Sequence, residues 1–336
     1  MTRISENQLA RALLGDVFRN QMQVGTHSKE LSSGYKVAQP GDSRYSATIS
    51  QLRDTVAQIE GFKTRAASVL GFLGAQEGTL GEATDALVRA EEIATQGANE
   101  TLGSDERRLL ADEVYALRDH MVSMANSTYQ GRYIFSGNSD GTPAYQASDT
   151  NPFAVPGGDD RANDFYVYDD GAGSASTRDV KVSSDLTVTV NQPGDQTFDR
   201  SIEALTSLAR SLDGYRTVID EGPPRVPDNA ASTAYDFPSD FETQTQDIQN
   251  ALELLNDARQ EDIMPERSSI AGRMRRVQTA ESLLELSENS AKDVLSGLQD
   301  TDMAASASNL ATAQTALQAS LTVTTQILRQ SILDYI

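Results

Sequence analysis

The chain has 336 residues, 38% of them hydrophobic and only 6% aromatic, and 28 Lys and Arg against 49 Asp and Glu give a formal net charge of −21. That surplus repels phosphate backbones and anionic headgroups, which argues against nucleic-acid and membrane-surface partners. There is no Cys and no Trp, and the only histidines are His27 and His120, so disulfides, thiol nucleophiles and Cys- or His-rich metal centres are excluded.

The length allows about two or three domains. The start, MTRISENQLARALLGDVFRN, has no uninterrupted apolar stretch behind a basic start. A standard secretory signal is therefore not expected, and cytoplasmic residence and a signal-less export route both stay open. The first helical block sets Ala10, Leu14, Val17, Gln21, Val24, Ser28 and Leu31 at alternating spacings of four and three, on one side of a helix. It breaks at LSSGYKVAQPGD, where Gly34, Pro40 and Gly41 are turn formers.

A second helical block runs from about Tyr45 to Gln96, with Leu52, Val56, Ile59, Val69, Leu70, Leu73, Leu80 and Leu87 at helical intervals. Gly71, Gly74, Gly78 and Gly81 lie within it. Each costs about 1 kcal/mol relative to Ala, and together they would either permit close approach of another helix or simply weaken this one. After a turn, Ser104 reads as an N-cap with Asp105 and Glu106 at the positive end of the dipole. Leu110, Val114, Leu117, Met121 and Met124 mark the buried face of this third block.

From Gln130 the character changes. GRYIFSGNSDGTPAY mixes β-formers with Gly and Pro, and residues 138–200 hold eleven Asp, no Glu and four basic residues. Within them DFYVY (Asp164–Tyr168), DVKVS (Asp179–Ser183) and DLTVTV (Asp185–Val190) read as strands bounded by turn residues. Helical pattern returns at Phe198–Leu212, breaks over EGPPRVPDNAASTAYDFPSD and resumes near Asp240. Pro265 is expected to interrupt or kink that helix, and Ile270, Met274, Val277, Leu284, Ala291, Leu295 and Leu298 continue a seam beyond it.

The last block places Met303, Ala307, Leu310, Gln314, Leu317, Leu321, Thr324, Leu328, Ser331 and Tyr335 at alternating four and three. Its residues 304–328 carry no charge, yet they are Ala, Thr, Ser and Gln with only four Leu, one Val and one Ile. The segment is too polar for a bilayer and too uncharged for a helix exposed all round. Protein must cover most of it, and neighbouring subunits could supply that cover. The terminal blocks therefore read as assembly elements that pair in a coiled coil.

Three stretches carry a resemblance: LSSGYKVAQPGDSRYSATIS (Leu31–Ser50), GRYIFSGN (Gly131–Asn138), and LQDTDMAASASNLATAQTALQASL with the closing SILDYI (Ser331–Ile336). Their order and placement resemble the bacterial flagellin superfamily, and GRYIFSG with the closing Leu-Asp-Tyr-aliphatic resembles its hook–filament junction members, the hook-associated protein 3 group. Tyr35 stands where a basic residue is usual, and Ser43 where a second Asp is common.

The resemblance implies a mainly α fold with a β-rich insert, in an elongated multi-domain architecture. It implies a terminal assembly domain (1–42 and 300–336), a helical rod (43–137 and 198–299) and an outward insert (138–197). Its implied partners are flagellin, another hook-associated junction protein, further copies in a ring or helical layer, and an export chaperone of the flagellar type III route. Leu14, Val17, Val24, Leu31, Leu310, Leu317, Leu321, Leu328 and Tyr335 are the expected interface.

No catalytic constellation is visible. No P-loop occurs, Gly171-Ala-Gly173 is a weak loop signal, and H-E-x-x-H is excluded because no histidine follows residue 120. GGDDRANDFYVYDDG lacks the calcium-loop spacing D-x-[DN]-x-[DN]-G-x5-E, so it reads as a solvated acidic surface; no metal or cofactor is expected. The alternatives to a junction adaptor are a filament flagellin, or a secreted adhesin or ligand-binding protein using the acidic central region.

Overall fold

Helices dominate the chain: α1 (Thr2–Ser33), α2 (Ser46–Gly97), α3 (Ser104–Ala125), α4 (Asp195–Asp213), α5 (Phe241–Asp257), a π-helical turn (Ala258–Ile263), α6 (Met264–Gln299) and α7 (Met303–Leu333). The structure is a computed structural model, and it describes residues 2–37, 45–148, 161, 164–169, 176–216 and 234–333. Contacts divide the chain into two compact units, Met1–Gly61 with Leu284–Ile336, and Phe62–Leu283.

In the larger unit α3 packs on α4, and α4 on α5 and the π-turn. Among the described residues six short strands form three antiparallel pairs: β1 (Thr128–Tyr129) with β2 (Arg132–Tyr133), β3 (Tyr145–Ala147) with β4 (Tyr166–Tyr168), and β5 (Asp179–Lys181) with β6 (Thr187–Thr189). The three expected strand segments thus fall on β4, β5 and β6, each shortened to three residues. Period-two alternation decides which side chains turn inward: Val188 is buried between Thr187 and Thr189. Tyr145, Val182, Val188 and Val190 join the same hydrophobic cluster as Leu73, Leu80, Val114 and Leu208.

The β1–β2 turn has positive φ at both Gln130 (+53°) and Gly131 (+77°), as a two-residue type I′ hairpin requires. At Gln130, whose side chain has a Cβ, that conformation costs roughly 1 kcal/mol.

The expected faces of α2, α3 and α6 are buried or half-buried throughout, Met121 and Met124 in the core among them. Two local readings need correction. Gly103, not Ser104, occupies the N-cap of α3, with no side-chain cap; a Cβ there would lie 2.6 Å from the Glu106 carboxylate, the end of an exposed side chain that can move aside. Second, the glycines of α2 do not seat another helix backbone. Gly71 makes room for the Tyr129 hydroxyl, which a Cβ would meet at 2.3 Å; Gly81 faces the Arg267 guanidinium; Gly74 and Gly78 face open space. The expected interruption at Pro265 is present: the helix leaves α geometry in the π-turn Ala258–Ile263 and resumes at Met264, just before the proline. Pro40, Gly41, most of the Pro-rich break and most of the acidic stretch GGDDRANDFYVYDDG lie outside the described residues.

Among the described residues three arginines are fully buried, which a charge-based reading does not anticipate. Arg118 pairs with Asp119 (2.9 Å) and Asp164 (3.2 Å). Arg107 donates to Gln244 (2.7 Å), Thr245 (2.9 Å) and the Asn99 carbonyl, and lies 4.1 Å over the Phe241 ring. Burial lowers the pKa of Arg107 and of Arg210, the third.

Candidate assembly face of the terminal helices

In the smaller unit two of the resembling motifs meet. α1 stops because Gly34 turns into the left-handed region (φ +77°) while its N–H still reaches the Glu30 carbonyl at 2.8 Å. The next residues then pair antiparallel with the α6–α7 corner. The Lys36 N–H donates to the Gln299 carbonyl (2.8 Å), the Thr301 N–H donates to the Gly34 carbonyl (3.0 Å), and Tyr35 bridges Asp300. Val37 is buried beside this bridge, and Lys36 Nζ reaches the Gly297 carbonyl at 2.8 Å. Asp302 starts α7 as its N-cap, accepting the N–H groups of Ala304 (2.9 Å) and Ala305 (3.0 Å).

From that corner α1 and α7 lie side by side, antiparallel in chain direction, and pack along each other. Asn20 Nδ2 donates to Ser320 Oγ (2.7 Å), and Ser306 Oγ donates to the Glu30 carboxylate (3.4 Å). His27 Nδ1 lies 2.9 Å from Glu30, also half-buried. The paired face of α1 is Leu13, Val17, Asn20, Val24, His27 and Leu31; that of α7 is Ser306, Leu310, Ala313, Leu317, Ser320 and Thr324.

The expected interface residues therefore separate into two groups. Val17, Val24, Leu31, Leu310 and Leu317 lie in the seam between the chain's own helices. Leu14 (49% exposed) and Leu321 (46%) face outward, as do Gln21, Ser28, Met303, Ala307 and Gln314. The phase is set by Leu13, Asn20 and His27 in place of Leu14, Gln21 and Ser28. Leu328, as a side chain, and Tyr335 fall outside the described residues.

Leu14 is joined outside by Phe18 (64% exposed) and Met22 (74%), four residues apart each time and so stacked along one stripe of α1. These two were missed because period-matching had already assigned α1 a single seam. On α7 the outward surface includes Leu321 and Val323 among Ala, Ser, Thr and Gln.

Most hydroxyls of α7 among the described residues are satisfied from within the helix. Thr312, Thr315, Ser320, Thr322 and Thr324 each donate to the carbonyl four residues back, and Thr325 to the carbonyl of Thr322, at 2.7–2.9 Å. Another protein could cover these six hydroxyls without stranding their donors, the usual penalty for burying polar side chains. The arrangement suits close packing against another protein. Among the described residues, no group of three or more Asp, Glu or His is placed to hold a metal ion, and no helix is long and apolar enough to cross a membrane.

Comparison with known proteins gives matches at both ends. Residues 4–140 match the bacterial flagellin N-terminal helical region, and residues 252–336 the bacterial flagellin C-terminal helical region. Flagellar hook-associated protein 3 of Escherichia coli is 26% identical over 202 residues, 59% of this chain and 57% of that protein. The protein of the same name from Salmonella typhimurium is 29% identical over 140 residues, 40% of this chain and 43% of that one. The chain thus spans about half the length of the curated relatives it matches. Among solved structures, Xanthomonas campestris FlgL covers 73% of this chain and 99% of its own length, with a TM-score of 0.57 at 19% identity, a likeness that speaks to fold alone.

Proposed function

The chain belongs to the bacterial flagellin family, and from that premise we propose that it is a structural adaptor joining hook to filament in the bacterial flagellum. Its partners in this reading are flagellin on one side and another hook-associated junction protein on the other, with further copies completing a ring or helical layer. An export chaperone would hold it before assembly, and it would leave the cell without a cleavable signal. It performs no catalysis in this role.

The observation that carries the reading is the outward surface of the α1–α7 pair. An apolar stripe on α1 lies beside a helix that is uncharged over residues 304–328 and bonds most of its hydroxyl donors to its own carbonyls, in a chain of net charge −21. Such a surface is poorly suited to permanent exposure. Within the proposed terminal assembly segments (1–42 and 300–336), Val17, Val24, Leu31, Leu310 and Leu317 hold the pair together. Leu14 and Leu321, with Phe18 and Met22, contact the neighbours, and Leu328 and Tyr335 extend the interface toward the end of the chain. Segments 43–137 and 198–299 form the helical rod, and 138–197 the outward insert.

Immunogold electron microscopy of flagellated cells tests the reading. Label confined to the hook–filament joint is expected; label along the filament, or micrometre-long filaments grown from the purified protein alone, would replace the junction role with that of a filament flagellin.

A further inference from the structure

Away from the terminal helices, the larger unit holds a cavity of about 310 Å³ that three arginines share. Arg65 comes from α2, Arg132 from β2, and Arg178 from the residue before β5, while Phe72, Tyr129 and Val180 supply apolar wall. Among the described residues no Asp or Glu lines it. In a chain with 49 acidic and 28 basic residues, this local sign reversal needs an explanation.

The charges are not cancelled from nearby. Arg132 and Arg178 divide a single carboxylate, Asp140 Oδ2, at 2.9 and 3.2 Å. Arg65 gives its Nε–H to the Lys181 carbonyl at 3.1 Å and makes no ion pair among the described residues. Three guanidiniums thus face one carboxylate. Arg178 Nε is moreover buried and has no hydrogen-bond partner, a state whose cost is removed when a ligand supplies the acceptor. The aromatic wall is fixed: Arg178 stacks 5.6 Å from the Phe72 ring centre, Phe72 meets Tyr129 edge-on at 6.1 Å, and Gly71 clears the space that the Tyr129 hydroxyl occupies.

We propose that this cavity is a binding site for a carboxylate carried on an apolar body. Guanidinium forks match a carboxylate with two parallel hydrogen bonds, and the valine and aromatic wall suits the body attached to it. The volume is at the small end of ligand pockets, so what enters is one acid group with one ring or branched chain. A free organic acid and an acidic side chain beside an apolar one on a protein segment share this chemistry.

The test is NMR of the arginine Nε–Hε resonances of the full chain during titration with phenylacetate, phenylacetamide, inorganic phosphate and the dipeptide acetyl-Glu-Phe-amide. Phenylacetate is expected to saturate and to move the Arg178 Nε–Hε signal. Its affinity should fall about tenfold in Arg65→Gln and in Arg178→Gln, and the neutral amide should not bind. The Arg65 side chain is exposed, so Arg65→Gln carries the test even where Arg178→Gln impairs folding, which circular dichroism reports. If the dipeptide binds more tightly than phenylacetate, the carboxylate comes from a protein segment; the reverse order points to a free acid. The proposal is overturned if neither carboxylate saturates, if the amide or phosphate binds as well as phenylacetate, or if Arg65→Gln leaves binding unchanged.

Discussion

Leu317→Asp and Leu321→Asp lie one helical turn apart on α7 and separate the chain's own pairing from contacts between subunits. Both introduce the same charge and the same loss of helix propensity, about 0.5 kcal/mol, so that term cancels in the comparison. Leu317 is half-buried on the face that meets α1. Full burial of a leucine is worth about 1.5–3 kcal/mol, so half of it is about 1 kcal/mol, and partial desolvation of the new carboxylate adds about 1 more. A total near 2 kcal/mol corresponds to a roughly thirtyfold increase in opening of the α1–α7 pair. Leu321, 46% exposed and facing away from α1, leaves its new carboxylate in water, so beyond the shared propensity loss it should cost about 1 kcal/mol or less in the isolated chain. Hydrogen exchange of the α7 amides in purified protein measures both openings. Incorporation into flagella in a strain lacking the wild-type protein measures the consequence, and both variants are expected to fail there. Equal exchange in the two variants would refute the seam as described, and normal incorporation of Leu321→Asp would refute the outward face as an interface.

Gly34→Ala places a Cβ at φ +77° and should loosen the Lys36–Gln299 and Thr301–Gly34 bonds at a cost of about 1 kcal/mol; exchange of the Thr301 amide reads it, and unaltered protection would show that the turn does not hold the corner. Arg107→Ala leaves a cavity and unpaired polar atoms on Gln244 and Thr245, and should lower stability by about 3 kcal/mol or more. Arg107→Met, which keeps the volume, should lose less, and thermal unfolding that ranks them the other way would refute this. The Asp199 carboxyl is pushed up to about 6, by burial first, against a lowering hydrogen bond from the Tyr145 hydroxyl, with Asp195 and Asp262 adding to the rise. Because the folded state then binds this proton more tightly than the unfolded chain, Asp199 favours folding at low pH, and its contribution is lost as pH rises from about 4 to about 6. The residue keeps solvent-exposed surface, so the effect on stability is small. Tyr145→Phe should raise the Asp199 pKa further, and a carbon-13 carboxyl titration that finds it unmoved or lowered would contradict the assignment.

Helix positions were legible because apolar spacing is a local property. The seam of α6 from Ile270 to Leu298 and the core of α2 from Val56 to Leu87 follow directly from it. The phase of the terminal seam was not legible to the same degree. Val17, Val24 and Leu31 fit two interleaved patterns, one through Leu14, Gln21 and Ser28 and the other through Leu13, Asn20 and His27. α1 has apolar residues on both sides, so periodicity alone does not choose. The choice is made by partners almost a full chain length away, Ser320 for Asn20 and Ser306 for the glutamate that holds His27. Arg107 and Arg118 were illegible for a related reason: an arginine reads as surface unless Gln244, Thr245 or Asp164 is known to lie against it. The same holds for the arginine-lined cavity, whose cations come from three separate segments.

The composition of α7 reconciles two demands that ordinarily conflict. A helix to be buried by other subunits should be apolar, but a chain presenting such a helix before assembly would aggregate. Serine and threonine on a helix answer both, because the hydroxyl proton is bonded to the carbonyl one turn back while the oxygen still offers lone pairs to water. On burial an acceptor is left less than fully satisfied, which proteins tolerate better than an orphaned donor. Such back-bonding slightly destabilises the helix, and a stretch of Ala, Ser and Thr gains little from packing on one side alone. Half of the helix rests on α1 through Leu310, Ala313 and Leu317, while the other half, Leu321 and Val323 included, has no cover within the described residues of the chain. In the proposed assembly, further stabilisation of α7 would come from whatever covers that second half, and the order of the helix would be coupled to assembly.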